Sequence, residues 1–247
     1  MHTNHFNLSE TARRYDKYRP AVHSVVHSWL AAAGVSGPYL SAIDLACGTG
    51  QSTMPLLSLA ERAEGVDTSA EMLALAAAKG LTVRVASYDS LPAGAYDLLT
   101  VCMAFHWFDR AQAVKAMCQA SAHGATWIIY NFWLAGHSTD KAFNDWYHGW
   151  YQDHFPSPRR SNPHFTPEPQ ELALTLAKHD QGTLQVAFDR PSLIGYLTTQ
   201  SNVQARIQED FGFNDAELLI DSTLPVVLDT QAYVYGYSYS ICKATLA

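Results

Sequence analysis

Short apolar runs alternate with amphipathic segments along the first half of the chain. Strands are predicted at 41–45, 64–67, 81–86, 97–103 and 125–132, and helices at 8–19, 21–33, 52–59, 69–79 and 109–121. Strands that alternate with helices at this spacing predict a parallel, doubly wound α/β sheet with right-handed crossovers. In such a sheet the ligand crevice lies at the carboxyl ends of the strands where the strand order reverses, here the first and the fourth.

The pattern changes after residue 132. The segment 133–210 is rich in aromatic residues and proline, and positions 143, 146, 147 and 150 share one helical face, which predicts an inserted helical cap. The tail has an apolar run at 224–228 and then alternates with period two over 233–241, which predicts a terminal antiparallel hairpin. We therefore expect a seven-stranded sheet in three parts: a lid helix and core at 1–132, the cap at 133–210, and the remainder of the core at 211–247.

Composition narrows the classes of partner. Of the 247 residues 48% are hydrophobic, which indicates a folded chain that buries a substantial core. The formal charge of −7 disfavours non-specific binding to nucleic acid. The four cysteines lack disulfide or zinc-binding spacing, the amino terminus lacks the layout of a signal peptide, and no apolar run is long enough to span a membrane. We expect a soluble cytoplasmic protein, monomeric or homodimeric, with no nucleic-acid, membrane or metal partner.

The segment 43–51, Ile-Asp-Leu-Ala-Cys-Gly-Thr-Gly-Gln, carries the first candidate chemistry. An apolar strand leads through Asp44 into a turn with Gly48 and Gly50, and glycine lets a backbone approach a ligand closely. Asp67 ends the next predicted strand about 20 residues later, where a carboxylate can accept both hydroxyls of a ribose; a cap of the following helix is the alternative, and the two roles can coexist. Thr53 stands where a nicotinamide-binding fingerprint has its third glycine, so a nicotinamide-dependent oxidoreductase is the weaker alternative.

Four blocks in order, at 44–51, 65–72, 87–92 and 96–109, resemble the class I S-adenosylmethionine-dependent methyltransferases. The ending 106–109 and the segment 15–20 are similar to the small-molecule branch that includes trans-aconitate methyltransferases. The resemblance implies a Rossmann-like fold, S-adenosylmethionine as cofactor, and methyl transfer to a small molecule, expected at the oxygen of a carboxylate or hydroxyl group. A non-catalytic protein that binds S-adenosylmethionine or S-adenosylhomocysteine is a further alternative.

The resemblance also implies roles for particular residues. Asp44 is expected to meet the cofactor's amino group, and Asp67 its ribose hydroxyls. Met72 or Thr68 is expected to pack on adenine, although Met72 also suits a helix core. Ser87 stands where the family often has aspartate. The full set of expected cofactor-binding residues is Tyr15, Arg19, Asp44, Ala46, Cys47, Gly48, Gly50, Asp67, Thr68, Met72, Ser87, Tyr88 and Ala104.

The amino-terminal helix and the end of the fourth strand complete the expected site. Tyr15 and Arg19 are neighbours on one helical face and are expected to reach the cofactor's carboxylate, unless Arg19 is a solvated surface residue. His106 is the candidate catalytic base for a hydroxyl acceptor, whereas a carboxylate acceptor needs no base. The acceptor is expected to contact Tyr18, His106, Trp107, Trp133 and Trp146, although the aromatic residues of the cap also suit packing onto the core.

Overall fold

The computed structural model describes residues 9–158, 174–209, 211–226 and 229–245, and every statement of structure below refers to these ranges. The strands are β1 (Tyr39–Leu45), β2 (Ala60–Asp67), β3 (Val83–Val85), β4 (Tyr96–Cys102), β5 (Ser121–His137), β6 (Leu174–Phe188) and β7 (Gln231–Ala244). The α-helices are α1 (Ser9–Tyr18), α2 (Val25–Ala32), α3 (Ala70–Ala78), α4 (Arg110–Ala120), α5 (Lys141–Asp145), α6 (Gln152–His154), α7 (Arg190–Thr198), α8 (Ser201–Glu209) and α9 (Phe213–Thr223). Short 3-10 helices occur at Met54–Ser58, Tyr88–Ser90 and Phe105–Trp107, and a π-helix occurs at Trp146–Tyr151.

The described strands form one seven-stranded sheet in the order β3-β2-β1-β4-β5-β7-β6. The pairs β1–β2, β1–β4, β2–β3 and β4–β5 are parallel, whereas β7 runs antiparallel to both of its neighbours, β5 and β6. The predicted mixed α/β sheet is confirmed. The strand order reverses between β1 and β4, so the carboxyl ends of these two strands form the predicted crevice.

Side-chain caps fix where several helices begin. Ser69 precedes α3 and its hydroxyl accepts a hydrogen bond from the backbone N–H of Met72 at 3.3 Å. Asp109 precedes α4 in the same way and accepts from the N–H of Gln112 at 3.0 Å. Each cap satisfies an N–H that has no partner within its helix, so the helix starts directly after the loop that leaves the preceding strand or turn.

The terminal hairpin differs from the prediction in its partner strand. The run 224–228 was expected to pair with 233–241, but Leu224 follows α9 directly, Pro225 has no N–H to donate to a ladder, and Val226 is exposed. The partner of β7 is β6, which lies within the segment expected to form a helical cap. The region 133–210 therefore contains a long strand as well as helices.

The first crossover is also shorter than predicted. An α-helix was expected at 52–59, but the structure has the five-residue 3-10 helix Met54–Ser58, and β2 begins at Ala60. Pro55 lies in the first turn of this helix, where its missing N–H leaves no hydrogen bond unmade. β2 starts four residues earlier than expected, so only Leu59 separates the 3-10 helix from this strand.

Two compact units divide the chain, and each has its own interior. The core unit comprises 21–131, 160–181 and 238–247, and the aromatic unit comprises 1–20, 132–159 and 182–237. In the core unit, one face of the sheet buries an apolar cluster that includes Leu45, Val101 and Met117. In the aromatic unit, α1 packs against α7, and Thr11 donates a buried hydrogen bond to Gln204 at 2.8 Å.

Candidate functional site

The turn after β1 needs its two glycines for different physical reasons. Gly48 and Gly50 have φ values of +54° and +84°, a region that glycine occupies without a steric penalty. A Cβ on Gly48 would meet nothing within 4 Å, so this part of the turn borders open space. A Cβ on Gly50 would lie 2.2 Å from Cδ1 of Leu81 and 3.1 Å from Cβ of Ala76. Gly48 therefore leaves room for a ligand, whereas Gly50 allows the turn to pack closely against α3 and the segment that follows it.

Two residues with side chains also adopt left-handed backbone angles at the crevice. Ala46, directly after β1, has φ of +55°, and Met103, directly after β4, has φ of +54°. For a residue with a Cβ this conformation costs about 1–2 kcal/mol. Such strain concentrates at functional sites, where the surrounding structure holds it in place. Both strands that border the crevice thus end in a strained residue.

Asp44 is fully buried at the centre of the sheet and is enclosed by hydroxyl groups. Its Oδ2 accepts hydrogen bonds from Ser52 at 2.6 Å and Thr53 at 2.8 Å, and its Oδ1 accepts from Thr100 at 2.7 Å. Burial raises the pKa of the Asp44 carboxyl to about 6, although the three hydroxyl donors lower it. A contact between Asp44 and the amino group of a cofactor stays a prediction.

Asp67 ends β2 and connects the glycine turn to the start of α3. Its Oδ2 accepts from the N–H of Gly48 at 2.9 Å, and its Oδ1 accepts from the N–H of Ser69 at 2.9 Å. Burial raises the pKa of this carboxyl, while the backbone N–H donors lower it. Ser69, rather than Asp67, caps α3. The N–H of Thr68 also acts on this carboxyl, and because a carboxylate has about four acceptor positions, Asp67 keeps the capacity for a further hydrogen bond.

Gly65 contributes to the crevice and was not predicted. A Cβ at this position would lie 2.7 Å from Sγ of Cys47 and 3.1 Å from Oγ1 of Thr53. The Cys47 side chain thus occupies the space beside β2, and its N–H donates to the carbonyl of Val66 at 3.0 Å. Burial raises the pKa of the Cys47 thiol, so this side chain is a neutral packing group.

The residues predicted to surround adenine differ in their environments. Met72 is buried in the core, whereas Thr68 is exposed. Ser87 is partly buried, and its carbonyl accepts a hydrogen bond from the hydroxyl of Ser90 at 2.9 Å. The Tyr88 ring packs against Phe108 with centroids 4.9 Å apart. Thr68, Ser87 and Tyr88 are therefore the members of this set with surface available to a ligand.

The segment after β4 turns back on itself in a 3-10 helix. Ala104 is buried, and its carbonyl accepts from the N–H of Trp107 at 2.9 Å. His106 is only 7% exposed, and its ring centroid lies 4.7 Å from that of Trp107. His106 follows Met103 closely, so it belongs to the carboxyl edge of the sheet, but most of its surface is covered.

In the aromatic unit, Arg19 lies between tyrosine rings rather than in solvent. Its guanidinium carbon is 4.7 Å from the ring centroid of Tyr15 and 5.2 Å from that of Tyr196, within cation–π range. Its Nη2 donates to the carbonyl of Thr199 at 2.8 Å. Burial raises the pKa of Tyr196, so that ring stays neutral and stabilises the cation through its π face.

The other residues predicted to contact an acceptor also lie in the aromatic unit. Tyr18 packs flat on Gly195 of α7, where a Cβ would lie 2.6 Å from its ring. Trp133 is 40% exposed and covers Gly236 of β7. Trp146 is buried at the start of the π-helix, and its indole Nε1 has no hydrogen-bond partner among the described residues.

The predicted residues thus fall into two groups. One group belongs to the core unit: Asp44, Ala46, Cys47, Gly48, Gly50, Asp67, Thr68, Met72, Ser87, Tyr88, Ala104, His106 and Trp107. The other belongs to the aromatic unit: Tyr15, Tyr18, Arg19, Trp133 and Trp146. The sequence reasoning missed Ser52 and Thr100, although a lone threonine within the apolar run of β4 was a usable signal.

Two classes of feature are not found where the structure describes the chain. No group of three or more His, Cys, Asp or Glu side chains there is arranged to hold a metal ion. Nor does any described helix have the length and apolar character to cross a membrane. All four cysteines are free thiols.

Comparison with known proteins bears on the crevice directly. Residues 42–124 match the family described as methyltransferase domain. This range includes the last four residues of β1, the glycine turn, Asp67, and the segment after β4 through the end of α4. No curated protein gives a match to the chain.

Several solved structures share the fold at low sequence identity. A candidate type II methyltransferase from Anaeromyxobacter dehalogenans has 21% identity and a TM-score of 0.66, and the match covers 93% of this chain and 99% of that one. A candidate methyltransferase from Bacillus halodurans has 13% identity and a TM-score of 0.51, with 89% and 98% covered. A structure concerning conversion of a disulfide bond into a thioacetal group in echinomycin biosynthesis has 16% identity and a TM-score of 0.53, with 98% and 92% covered. The crevice between β1 and β4 therefore lies within the range that matches the methyltransferase-domain family, and the chain has the Rossmann-like α/β fold of these solved structures.

Proposed function

We propose that this chain transfers a methyl group from S-adenosylmethionine to an oxygen of a small-molecule acceptor, as in the small-molecule branch that its sequence resembles. One observation carries the proposal. In the methyltransferase domain, open space borders Gly48, and Asp67 accepts the N–H of that same glycine at 2.9 Å. Gly48 has no side chain to block a ligand, and the neighbouring Asp67 carboxylate can accept further hydrogen bonds. This combination suits a ligand that carries a ribose.

The residues of the crevice fit the cofactor chemically. When bound, S-adenosylmethionine supplies a methyl group already activated on a sulfonium sulfur. We assign the ribose hydroxyls to Asp67, the adenine to Thr68, Met72, Ser87 and Tyr88, and the amino-acid portion to the backbone of Ala46, Cys47, Gly48, Gly50 and Ala104. Asp44 places a negative charge near the ammonium group, and Tyr15 and Arg19 are assigned to the carboxylate.

The acceptor side rests on a smaller set of residues. We assign acceptor contacts to Tyr18, His106, Trp107, Trp133 and Trp146. The buried indole N–H of Trp146 supports this assignment, because a buried donor without a partner is destabilising until an acceptor atom reaches it. An oxygen atom of the substrate can supply that acceptor. His106 is the candidate base when the substrate is a hydroxyl compound, and it has no role in proton transfer when the substrate is a carboxylate.

A nicotinamide cofactor fits the turn less well. A nicotinamide-binding turn uses its third glycine for close packing of the helix on the strand. Here Thr53 fills that position, and its hydroxyl is hydrogen-bonded to Asp44 at 2.8 Å. A reducing compartment such as the cytoplasm suits the four free cysteines.

Cofactor binding is tested by calorimetry with S-adenosylhomocysteine. Asp67→Ala is expected to weaken binding by about 100-fold or more, because two hydrogen bonds to a charged group are lost. Asp97→Ala is the matched control, since Asp97 on β4 also accepts two backbone N–H groups, from Leu40 and Ser41 at 2.8 Å each, at the amino end of β1. If Asp67→Ala binds as tightly as Asp97→Ala, Asp67 is not in the site.

Catalysis is tested separately with radiolabelled S-adenosylmethionine and a fractionated metabolite extract. We expect label in a small product that is organic-soluble or acidic. When that product is a methyl ester, alkaline hydrolysis is expected to release the label as methanol. Binding of S-adenosylhomocysteine without transfer to any fraction would favour the non-catalytic alternative. No binding of either compound would overturn the proposal.

A further inference from the structure

The hydroxyl groups around Asp44 come from both sides of the crevice. Ser52 and Thr53 belong to the turn that follows β1, whereas Thr100 lies on β4, directly opposite Asp44 in the strand register. We call Asp44, Ser52, Thr53 and Thr100 the hydroxyl cage. Its three hydrogen bonds are 2.6–2.8 Å long and join a charged acceptor to neutral donors, which makes them stronger than hydrogen bonds between neutral groups.

The cage is placed where backbone strain needs to be held. Ala46 follows Asp44 by two residues, Met103 follows Thr100 by three, and both have left-handed backbone angles. A strained conformation of this kind persists only where several interactions fix the residues around it. Through the hydrogen bonds to Asp44, the cage connects β1, β4 and the last residues of the glycine turn. It therefore fixes both strands just before the residues with left-handed backbone angles.

We infer that Ser52, Thr53 and Thr100 are positioning residues that act through Asp44 to hold the glycine turn and the end of β4 in the shape that receives the cofactor. This inference rests on the proposed function for the identity of the ligand. In this inference Asp44 maintains the shape of the crevice. The Asp44 side chain is fully buried, and both of its oxygens already accept hydrogen bonds from the protein.

The first test measures the affinity of the full-length protein for S-adenosylhomocysteine by calorimetry. Thr53→Val and Thr100→Val remove a hydroxyl and keep the shape of the side chain, and each is expected to raise Kd by about tenfold. Thr53→Ser and Thr100→Ser retain the hydroxyl and are expected to stay within about twofold of the wild type. Thr126→Val is the matched control, because Thr126 is also a buried threonine on a strand. Its hydroxyl lies away from the cage and accepts a hydrogen bond from Nζ of Lys243 at 2.7 Å.

The second test needs no ligand. Hydrogen exchange of the cofactor-free protein is measured for the amides of 46–50 and 103–105. Faster exchange in these two segments is expected for the valine variants at 53 and 100, with no such change for the serine variants or Thr126→Val. If Thr100→Val does not fold, the comparison of Thr53→Val with Thr53→Ser decides whether the cage holds these two segments in place.

The outcomes separate this inference from the proposed function. The inference would be overturned if the valine variants at 53 and 100 exchanged their amides no faster than Thr126→Val. It would also be overturned if the wild type bound S-adenosylhomocysteine and these valine variants bound it with the same Kd. A wild type that does not bind S-adenosylhomocysteine would overturn the proposed function, and the exchange measurement would still decide whether the cage holds the two segments.

Discussion

Burial acts strongly on the charge of Asp44 at the centre of the sheet. Its pKa of about 6 lies roughly two units above the usual aspartate value, because burial disfavours the charged form more than three hydroxyl donors favour it. That difference corresponds to about 3 kcal/mol of unfolding free energy lost when the group is ionised in the folded protein. We therefore expect a neutral residue of the same shape at position 44 to make the folded protein more stable at neutral pH.

The sign of this effect gives a pH-dependent prediction. A carboxyl group with a raised pKa in the folded state favours folding most below its unfolded pKa near 4, and that contribution is lost as the pH rises through about 6. Asp44→Asn is therefore expected to be more stable than the wild type by about 1–3 kcal/mol at pH 7.5, with a smaller difference at pH 4.5. Denaturant unfolding at both pH values measures this difference. The charge of Asp67 also raises the pKa of Asp44, and Asp67 stays unchanged in the comparison. A difference that grows as the pH falls would contradict the prediction.

At the level of single residues, the sequence predicted the parts of the site that are defined by local pattern. Gly48 and Asp67 occupy recognisable positions after predicted strands, and the structure places them in hydrogen-bond contact. Gly65 was not predictable, because the reason for glycine there is the side chain of Cys47, which becomes a neighbour only after β1 and β2 pair. Ser52 and Thr100 were missed because their role depends on a shared partner, Asp44.

At the level of elements, the outer strands differ most from the prediction. Strand β6 is mostly exposed and rich in polar residues, so it lacks the alternation that identified β7. As the last strand in the sheet order it needs only weak apolar patterning, and polar side chains on an edge strand oppose pairing with other chains. The parallel strands β1 and β4 were predictable because both faces of such strands are buried and their sequences form apolar runs.

A cross-strand pair on these outer strands gives a second prediction. The indole of Trp133 on β5 covers Gly236 on β7, where a Cβ would lie 2.4 Å from Cε2. Gly236→Ala is therefore expected to destabilise the protein by about 1–3 kcal/mol through overpacking. Trp133→Ala in the same chain is expected to remove most of that effect, which gives a coupling energy of about 1–2 kcal/mol in a double-mutant cycle.

The control for this pair is a glycine that has room for a side chain. Gly149 lies in the π-helix, and a Cβ there would meet nothing within 4 Å. Gly149→Ala is expected to be neutral or slightly stabilising because alanine favours helical conformations. Additive effects at positions 133 and 236, measured by urea unfolding, would show that the two side chains do not share this space.

At the level of the whole molecule, the reversal of strand order could be predicted, but the division of the chain into two compact units could not. The reversal between β1 and β4 follows from alternating strands and helices with right-handed crossovers. Each compact unit is instead assembled from three separate segments, and their boundaries at 131/132 and 237/238 fall inside β5 and β7. A boundary within a continuous strand leaves no change of composition or loop signal in the sequence.

Ligand linkage provides a prediction for the entire chain. S-adenosylhomocysteine at about 100 times its Kd is expected to add about 2.7 kcal/mol to the unfolding free energy of a one-site protein. Thermal unfolding measures this as a rise in Tm that depends on ligand concentration. Nicotinamide adenine dinucleotide at the same concentration is expected to cause no shift. The reverse result would favour the oxidoreductase alternative.

The π-helix gives the molecule an optical property that can be used before any substrate is known. The indole rings of Trp146 and Trp150 are stacked, with centroids 5.8 Å apart and planes 18° from parallel. We expect two chromophores this close together to couple their electronic transitions and to give a paired band in circular dichroism. A compound that reaches the N–H of Trp146 would disturb that band without a label and without turnover. Collections of hydroxyl and carboxylate compounds can therefore be screened by spectroscopy alone, and radiolabel can be kept for those that change the signal.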